Sequence, residues 1–561
     1  MFALRENRMT VVAGAACLGA FVLFVGLAIV ALLTQTGGAS DDALFDAYIW
    51  RVTRFTLLQA TLSTLLSVLF AIPVARALAR RPQFPGRIWL LRLMALPLGL
   101  PVLVGALGLI EIWGRQGFLN SGLRWLGLAQ PVSIYGLFGI LLAHVFFNMP
   151  LAARLFLAGL ERIPAEYWRS AANLGMPSRA LFRFIEWPVL RGLLPGAAGL
   201  VFMLCATSFT LVLTLGGGPA ASTIEVAIYQ ALRFDFDPPR AIALSALQIA
   251  MTGLLLFLLR YLAAEPEEGM TGGRTVRRFD GASRIARLSD AAWIALAFLF
   301  LGAPLVAVLI SGLEADLLKL ARDPAVHRAL LTSAAIALAS ALASVTMAAV
   351  MIRAAATVTA PRHATSLARG FAGAIGASTS LILLVPPVVL GAGWFLLLRP
   401  FGDVARFAPV IVVAINALMA LPFVHRILAP AMATHAARSE RLTASLGIRG
   451  FDRLRWIDFP ALRKPLLMAL SFAMALSLGD LGAVALFGSQ DMVTLPWLLY
   501  SRMGSYRTAD AAGLALFLGL LCLIFTILGT ANDSRPEAVR AVVRDWGAVR
   551  EAAKDGSFHG P

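Results

Sequence analysis

Long apolar runs separated by short basic or polar stretches set the pattern of this chain. About 20 consecutive apolar residues cross a bilayer as a helix. Twelve such runs are legible, roughly at residues 10–34, 55–79, 90–113, 132–157, 192–214, 241–262, 291–312, 330–352, 371–398, 409–430, 465–487 and 511–532. The first follows Arg5 and Arg8, is too long for a signal-peptide core and has no clear cleavage site, so it reads as a retained span. The pattern predicts an all-α polytopic membrane protein with about twelve transmembrane helices.

One polar pattern occurs twice. The first copy begins Ser170-Ala171-Ala172-Asn173-Leu174-Gly175 and runs through Phe182-Arg183-Phe184-Ile185-Glu186-Trp187 to Pro188. The second begins Thr443-Ala444-Ser445-Leu446-Gly447 and runs through Leu454-Arg455-Trp456-Ile457-Asp458-Phe459 to Pro460. Gly175 and Gly447, Pro188 and Pro460, and Pro150 and Pro422 are all 272 positions apart. A constant offset from a span, through a loop, into the next span indicates internal duplication. Two six-span halves follow, residues 1–262 and 291–532, with the patterned loops at 158–191 and 431–464. A hydrophilic linker at 263–290 joins them, and a polar tail at 533–561 follows. Six is an even number, so both halves enter the membrane from one side, as parallel repeats.

Charge adds orientation. Only 14% of the 561 residues are charged, 59% are hydrophobic, and mean hydropathy is +0.80, far from the roughly 25% charge of a soluble domain. The net charge of +17 is concentrated between apolar runs, including both patterned loops and the linker. That is the positive-inside pattern and not a nucleic-acid footprint, because aromatic-interleaved basic stripes are absent. It predicts both termini, the linker and both patterned loops on the cytoplasmic side. Cys17, Cys205 and Cys522 all fall in apolar runs and have no disulfide or metal spacing.

The paired loops are basic and cannot lie in lipid. Gly175 and Gly447 suit sharp turns between short helices, and Pro177 suits a first helical turn. Helical spacing puts Arg179, Arg183 and Glu186 on one face and Phe182 and Ile185 on another. A short amphipathic helix of this kind fits a groove on a partner; the plainer reading is an ordinary positive-inside loop. No phosphate-cradling loop is present: the three lysines, Lys319, Lys464 and Lys554, never follow Gly. Nucleotide chemistry therefore belongs to another chain, and no catalytic triad or paired-carboxylate site is visible.

The loops resemble the Glu-Ala-Ala motif of ABC-importer permeases, with Arg169 and Arg441 where that family has Glu. Further stretches narrow the likeness: Arg54-Phe55-Thr56-Leu57-Leu58-Gln59-Ala60, His144-Val145-Phe146-Phe147-Asn148-Met149-Pro150, Leu215-Gly216-Gly217-Gly218-Pro219, Val484-Ala485-Leu486-Phe487-Gly488 and Gly504-Ser505-Tyr506-Arg507. Together they resemble the thiamine ABC-transporter permeases along nearly the whole chain. The resemblance implies a type I importer fold in a bacterial inner membrane, carrying thiamine or its phosphates. It implies a periplasmic thiamine-binding protein and two copies of a cytoplasmic ATPase that hold the ATP and Mg, with no cofactor in this chain. It assigns coupling to Ala171, Gly175, Phe182, Ile185, Pro188, Ala444, Gly447, Leu454, Ile457 and Pro460.

Substrate-pathway candidates are few. Asp480 falls inside the eleventh run, and its repeat counterpart is Ser208. An ionised carboxylate at mid-membrane costs at least about 2.5–3.5 kcal/mol, so it faces a polar interior, either to meet a cation or to pack against a neighbouring helix. Glu111 lies near the outer end of the third run beside Trp113, where an interfacial position explains it better than a place in the pathway. His144 and Asn148 share a face and suit a helix–helix hydrogen bond better than a metal site. Pro97, Pro101, Pro386 and Pro387 break the third and ninth runs, either lining a pathway or serving packing alone. Other layouts compatible with the chain are a fused permease for iron(III) or another small solute, a proton-coupled secondary transporter, and a channel or scaffold.

Overall fold

The computed structural model describes residues 2–34, 46–127, 132–262, 278–359, 365–382, 385–448, 450–488, 492–505 and 507–530. Most of the linker and all of the tail proposed above lie outside these residues. The first half contains α1 (Phe2–Thr34), α2 (Ala47–Arg80), α3 (Arg87–Leu93), α4 (Leu96–Gly99), α5 (Val102–Trp113), α6 (Phe118–Trp125), α7 (Leu137–Glu161), α8 (Ala165–Asn173), α9 (Ser178–Leu181), α10 (Trp187–Ala206), α11 (Thr210–Leu215), α12 (Ile224–Arg233) and α13 (Pro238–Leu262). The second contains α14 (Arg284–Glu314), α15 (Leu317–Arg322), α16 (Pro324–Thr359), α17 (Ser366–Leu381), α18 (Pro387–Leu398), α19 (Ala408–Ser445), α20 (Gly450–Arg453), α21 (Phe459–Gly479), α22 (Gly482–Phe487), α23 (Leu495–Gly504) and α24 (Thr508–Thr530). Among the described residues there are helices and no strands, and ten helical segments are long and apolar enough to cross a membrane.

Several expected spans are not continuous. The third is divided among α3, α4 and α5, with Pro101 at the last break, and the ninth between α17 and α18, with Pro386 there. The fifth and eleventh break at Thr207–Phe209 and at Asp480–Leu481. Proline lacks the amide that would continue the ladder. The breaks are matched: α5 and α18 are both 12 residues long, and α11 and α22 both 6.

Small residues determine how the long helices meet. In lipid, apolar contact gives helices no net drive to associate, so close packing and interhelical hydrogen bonds do the work. Buried positions on α2 include Thr56, Ala60, Ser63, Ser67 and Ala71; on α16 they include Ser333, Ala337, Ser340, Ser344 and Ala348. The outward positions Leu57, Leu65, Leu69 and Phe70 are left for lipid. Hydroxyls on these seams also satisfy helix ends. Thr56 Oγ1 accepts from the Ile224 amide at 3.0 Å and Ser333 Oγ from the Leu495 amide at 2.8 Å, so the halves hold the starts of α12 and α23 in the same way. His144 pairs with Ser63 at 2.9 Å and Asn148 donates to Cys205 Sγ at 3.3 Å, the helix–helix contacts expected of that face.

The halves exchange their first helices. α1 packs on α16 and α18 of the second half, and α14 packs on α2 and α5 of the first as well as on α24 of its own. Trp394 stacks on Phe24 at 4.6 Å and donates to its carbonyl at 3.2 Å. Gly393 permits this approach, because a Cβ there would lie 2.4 Å from the Ala28 carbonyl oxygen.

Candidate functional site

The two patterned loops fold alike. α8 ends at Asn173 and Gly175 turns with φ of +59°; α19 ends at Ser445 and Gly447 turns with φ of +65°. Met176 donates to the Ala171 carbonyl at 3.1 Å and Ile448 to the Thr443 carbonyl at 3.2 Å, which closes each C-terminus in the same way. Nothing lies within 4 Å of a Cβ added at either glycine, so left-handed backbone, not crowding, is what demands glycine. The first loop has an extra break between α7 and α8, at Arg162–Pro164, where α19 of the second half runs on unbroken. Replacing Gly175 or Gly447 with Val is expected to strain the turn by roughly 1–3 kcal/mol and to lower transport by the reconstituted permease. Unchanged transport in both variants would show that neither turn needs glycine.

After each turn, one wide π-type turn intervenes, at Phe182–Glu186 and at Leu454–Asp458. It precedes Pro188 and Pro460, which have no amide to return to the carbonyls of Phe184 and Trp456. The extra residue per turn changes the facing. Arg179 and Arg183 are exposed as expected, but Glu186 is fully buried rather than sharing their face. Its repeat counterpart Asp458 is buried too.

Glu186 is the centre of a buried charge clasp. Its two oxygens pair with Arg76 of α2 and with Arg278, just ahead of α14. Arg278 also pairs with Asp280 at 2.9 Å and lies 3.9 Å over the Trp168 ring of α8. Arg80 pairs with Asp280 at 3.1 Å and Asp290 at 3.2 Å, and Arg81 with Asp290 at 3.1 Å. Arg76 and Arg80 both hydrogen-bond Ser178 at the start of α9. Burial opposes the charge on Asp280, but Arg278 and Arg80 outweigh it and hold its carboxyl below the usual range. A depressed carboxyl stabilises the clasp above its ordinary titration range, and that contribution is lost as pH falls through the lowered value. The second half has a simpler version: Asp458 pairs with His435 at 2.8 Å, Arg353 at 3.3 Å and Arg453 at 3.5 Å.

The outward surface of both loops is apolar and matched. Leu174 and Leu446 are 77% and 61% exposed, and Phe184 and Trp456 are 64% and 69% exposed. Arg183 lies over Phe184 at 5.6 Å, and Arg455 over Trp456 at 5.4 Å. Each pair is separated by the same 272 positions as the glycines (174 and 446, 184 and 456). Of the residues expected to couple, Gly175, Pro188, Gly447, Leu454 and Pro460 are exposed, while Phe182, Ile185 and Ile457 are half-buried. Ala171 is buried and so supports the loop from within. Ala444 lies in α19, and its side chain is outside the described residues. The sequence reading passed over Leu174, Phe184, Leu446 and Trp456, although their shared offset was the signal for them.

Asp480 is not within a continuous helix. It occupies the break between α21 and α22, half-buried, and accepts from the amides of Gly482 at 3.2 Å and Ala483 at 3.3 Å, capping α22. Ser208 occupies the matching break between α10 and α11. Glu111 is half-buried on α5 beside Ser311 of α14. A residue not singled out from sequence is the most unusual of the acids: Glu225 on α12 is fully buried, and neither carboxylate oxygen has a hydrogen-bond partner among the described residues. α12 packs against α2 and α13 of its own half and α18 and α22 of the other. Its far end lines a cavity of about 320 Å³ between the halves, with Leu232, Arg233, Phe395 and Leu486 in its wall.

A duplicated bundle of helices long and apolar enough to cross a membrane, with paired loops at one end, has the layout of a permease subunit. Residues 71–267 match the family described as binding-protein-dependent transport system inner membrane component. The chain is 53% identical to the thiamine transport system permease protein ThiP of Brucella abortus (strain 2308), over 94% of this chain and 96% of the relative. Identity is 45% to the Escherichia coli (strain K12) protein of that name, over 91% and 95%, and 39% to that of Haemophilus influenzae, over 93% and 96%. The chain belongs to this family of transport permeases. Membership favours the importer layout over the secondary-transporter, channel and scaffold readings.

Proposed function

We propose that this chain is the fused permease of an ATP-driven importer for thiamine, free or phosphorylated, in a bacterial inner membrane with both termini cytoplasmic. A periplasmic binding protein delivers the cargo, and two copies of a cytoplasmic ATPase dock on the loops at 158–191 and 431–464. ATP and Mg sit on those subunits. The observation that carries this reading is the matched pair of outward apolar loop surfaces, each backed by a buried acid held by a basic residue of the long helix beside it. Two equivalent handles suit two identical engines. Closure of the ATPases would press on both loops, and the clasp at Glu186 would carry the first loop's motion into α2 and α14, rocking the halves to alternate access.

The cargo reading draws on relatives named for thiamine transport and on the acids along the interface. Thiamine is a cation, and a carboxylate in a low-dielectric interior favours a cation that has shed water. Asp480 and Ser208 at the matched breaks, Glu111 and the unpartnered Glu225 are the groups we assign to the pathway. Asp480→Asn keeps an acceptor for the α22 cap and removes the charge, so assembly is expected to persist while thiamine uptake falls about tenfold, a loss of about 1.4 kcal/mol. Wild-type uptake would take Asp480 out of the pathway. The whole reading is tested by reconstituting the chain with its ATPase and binding protein and measuring ATP-dependent accumulation of labelled thiamine. Accumulation of ferric iron instead would reassign the cargo, and gradient-driven uptake without ATPase would overturn the class.

A further inference from the structure

A second cavity is neither a loop surface nor part of the interface between α12 and the second half. It has a volume of about 710 Å³ and lies between α14 and the turn joining α2 to α3. One wall is a single stripe of α14, formed by Ala291, Ile294, Ala295, Phe298 and Leu299. These follow Arg287 at intervals of 4, 7, 8, 11 and 12 residues, so all lie on one face. The opposite wall is Phe84, Pro85, Gly86 and Leu90. Arg81 and Arg287 line the same cavity at the end nearest the patterned loops.

The two guanidinium groups are not equivalent. Arg81 is committed to Asp290 and to the Gly281 carbonyl. Arg287 is exposed and has no carboxylate partner among the described residues. Asp290, the acid nearest in sequence, is already shared by Arg80 and Arg81. The mouth is therefore net positive and the wall below it apolar. The apolar stripe from Arg287 to Leu299 rises about 18 Å at 1.5 Å per residue. One leaflet of a bilayer's hydrocarbon is about 15 Å thick. A positive mouth above an apolar slot one leaflet deep has the charge and length of one ligand class.

We propose that this cavity is a binding site for an anionic phospholipid, with the headgroup phosphate at Arg287 and an acyl chain along α14. A basic pocket between transmembrane helices at this end of the bundle fits such headgroups. The bound lipid bridges the α2–α3 turn of the first half and α14 of the second, beside the Arg81–Asp290 pair. The site is independent of which solute the permease carries.

The test uses the full-length chain in nanodiscs of phosphatidylcholine containing a minor fraction of phosphatidylglycerol, followed by delipidation and quantification of retained lipid by native mass spectrometry. Wild type is expected to retain phosphatidylglycerol in excess of its bulk fraction, and Arg287→Gln to reduce that excess at least fivefold without changing retained phosphatidylcholine. Arg287→Lys should keep most of it. Ala291→Trp, which fills the slot and leaves the charge, should displace the lipid as well. Equal phosphatidylglycerol in wild type and Arg287→Gln would overturn the site, as would retention in Ala291→Trp. Displacement by millimolar inorganic phosphate would show an anion site without a lipid requirement and overturn the assignment to lipid.

Discussion

Glu186→Ala is expected to cost about 3–5 kcal/mol of stability, because it removes the carboxylate shared by Arg76 and Arg278 and leaves them only Ser178 and Asp280 as partners. Glu186 is fully buried, and the Arg278 side chain it holds is 3% exposed, so water cannot replace the lost partner. Arg76, at 22% exposed, is partly relieved by solvent, which places the effect toward the lower end. The damage should also be directional. Arg278 stands ahead of α14, Arg76 lies near the C-terminal end of α2, and Trp168 lies on α8, so the acid ties the first loop to both halves. Thermal inactivation in detergent should fall sharply for Glu186→Ala and less for Glu186→Gln, which keeps hydrogen-bond acceptance by one oxygen. Asp458→Asn should be milder, since its partner Arg353 is 36% exposed and its other partners also reach solvent. Equal losses at the two sites would show that the clasp has no special role.

Putting a charge on the outward loop surface should weaken docking of the proposed ATPase partner strongly. Phe184→Asp and Trp456→Asp each remove an exposed aromatic and bury a charge if the partner still binds. Aromatic anchors in interfaces are worth about 2–4 kcal/mol each, so each single variant should weaken the complex by roughly 30- to 1000-fold. The double variant should leave a permease that still inserts and folds, because both side chains point away from the core. Co-purification of the ATPase at wild-type yield with the double variant would refute the docking role. A fall in permease level itself would instead indicate that these aromatics face lipid.

Much of this molecule is legible in its apolar pattern, and the limits are physical. Run length alone reveals helices that cross a bilayer, and a constant offset of 272 reveals the duplication, because both are properties of one-dimensional spacing. The π-type turn before Pro188 is not of that kind. Spacing at 3.6 residues per turn puts Glu186 beside Arg183; the missing proline amide re-registers the ladder and swings Glu186 inside. The exchange of α1 and α14 between halves is hidden for another reason. A residue facing lipid and one facing a helix are both apolar, and only small positions such as Gly393 mark close contact. Asp480 reads from sequence as an acid in a span; the structure adds the break that lets it cap α22. Glu225 left no signal, since an acid on a short helix ordinarily reads as solvated and its burial comes from elements distant in sequence.

Two equivalent loops, each gripping a separate nucleotide-consuming subunit, are what the proposed mechanism requires. Single cysteines at Leu174 and Leu446, in a chain whose three native cysteines have been replaced, test it directly by cross-linking in the assembled transporter. Each position is expected to capture one ATPase copy, both together two, and the yield at both is expected to change when ATP is bound. Capture at neither position, or at one alone whatever the nucleotide state, would contradict that mechanism.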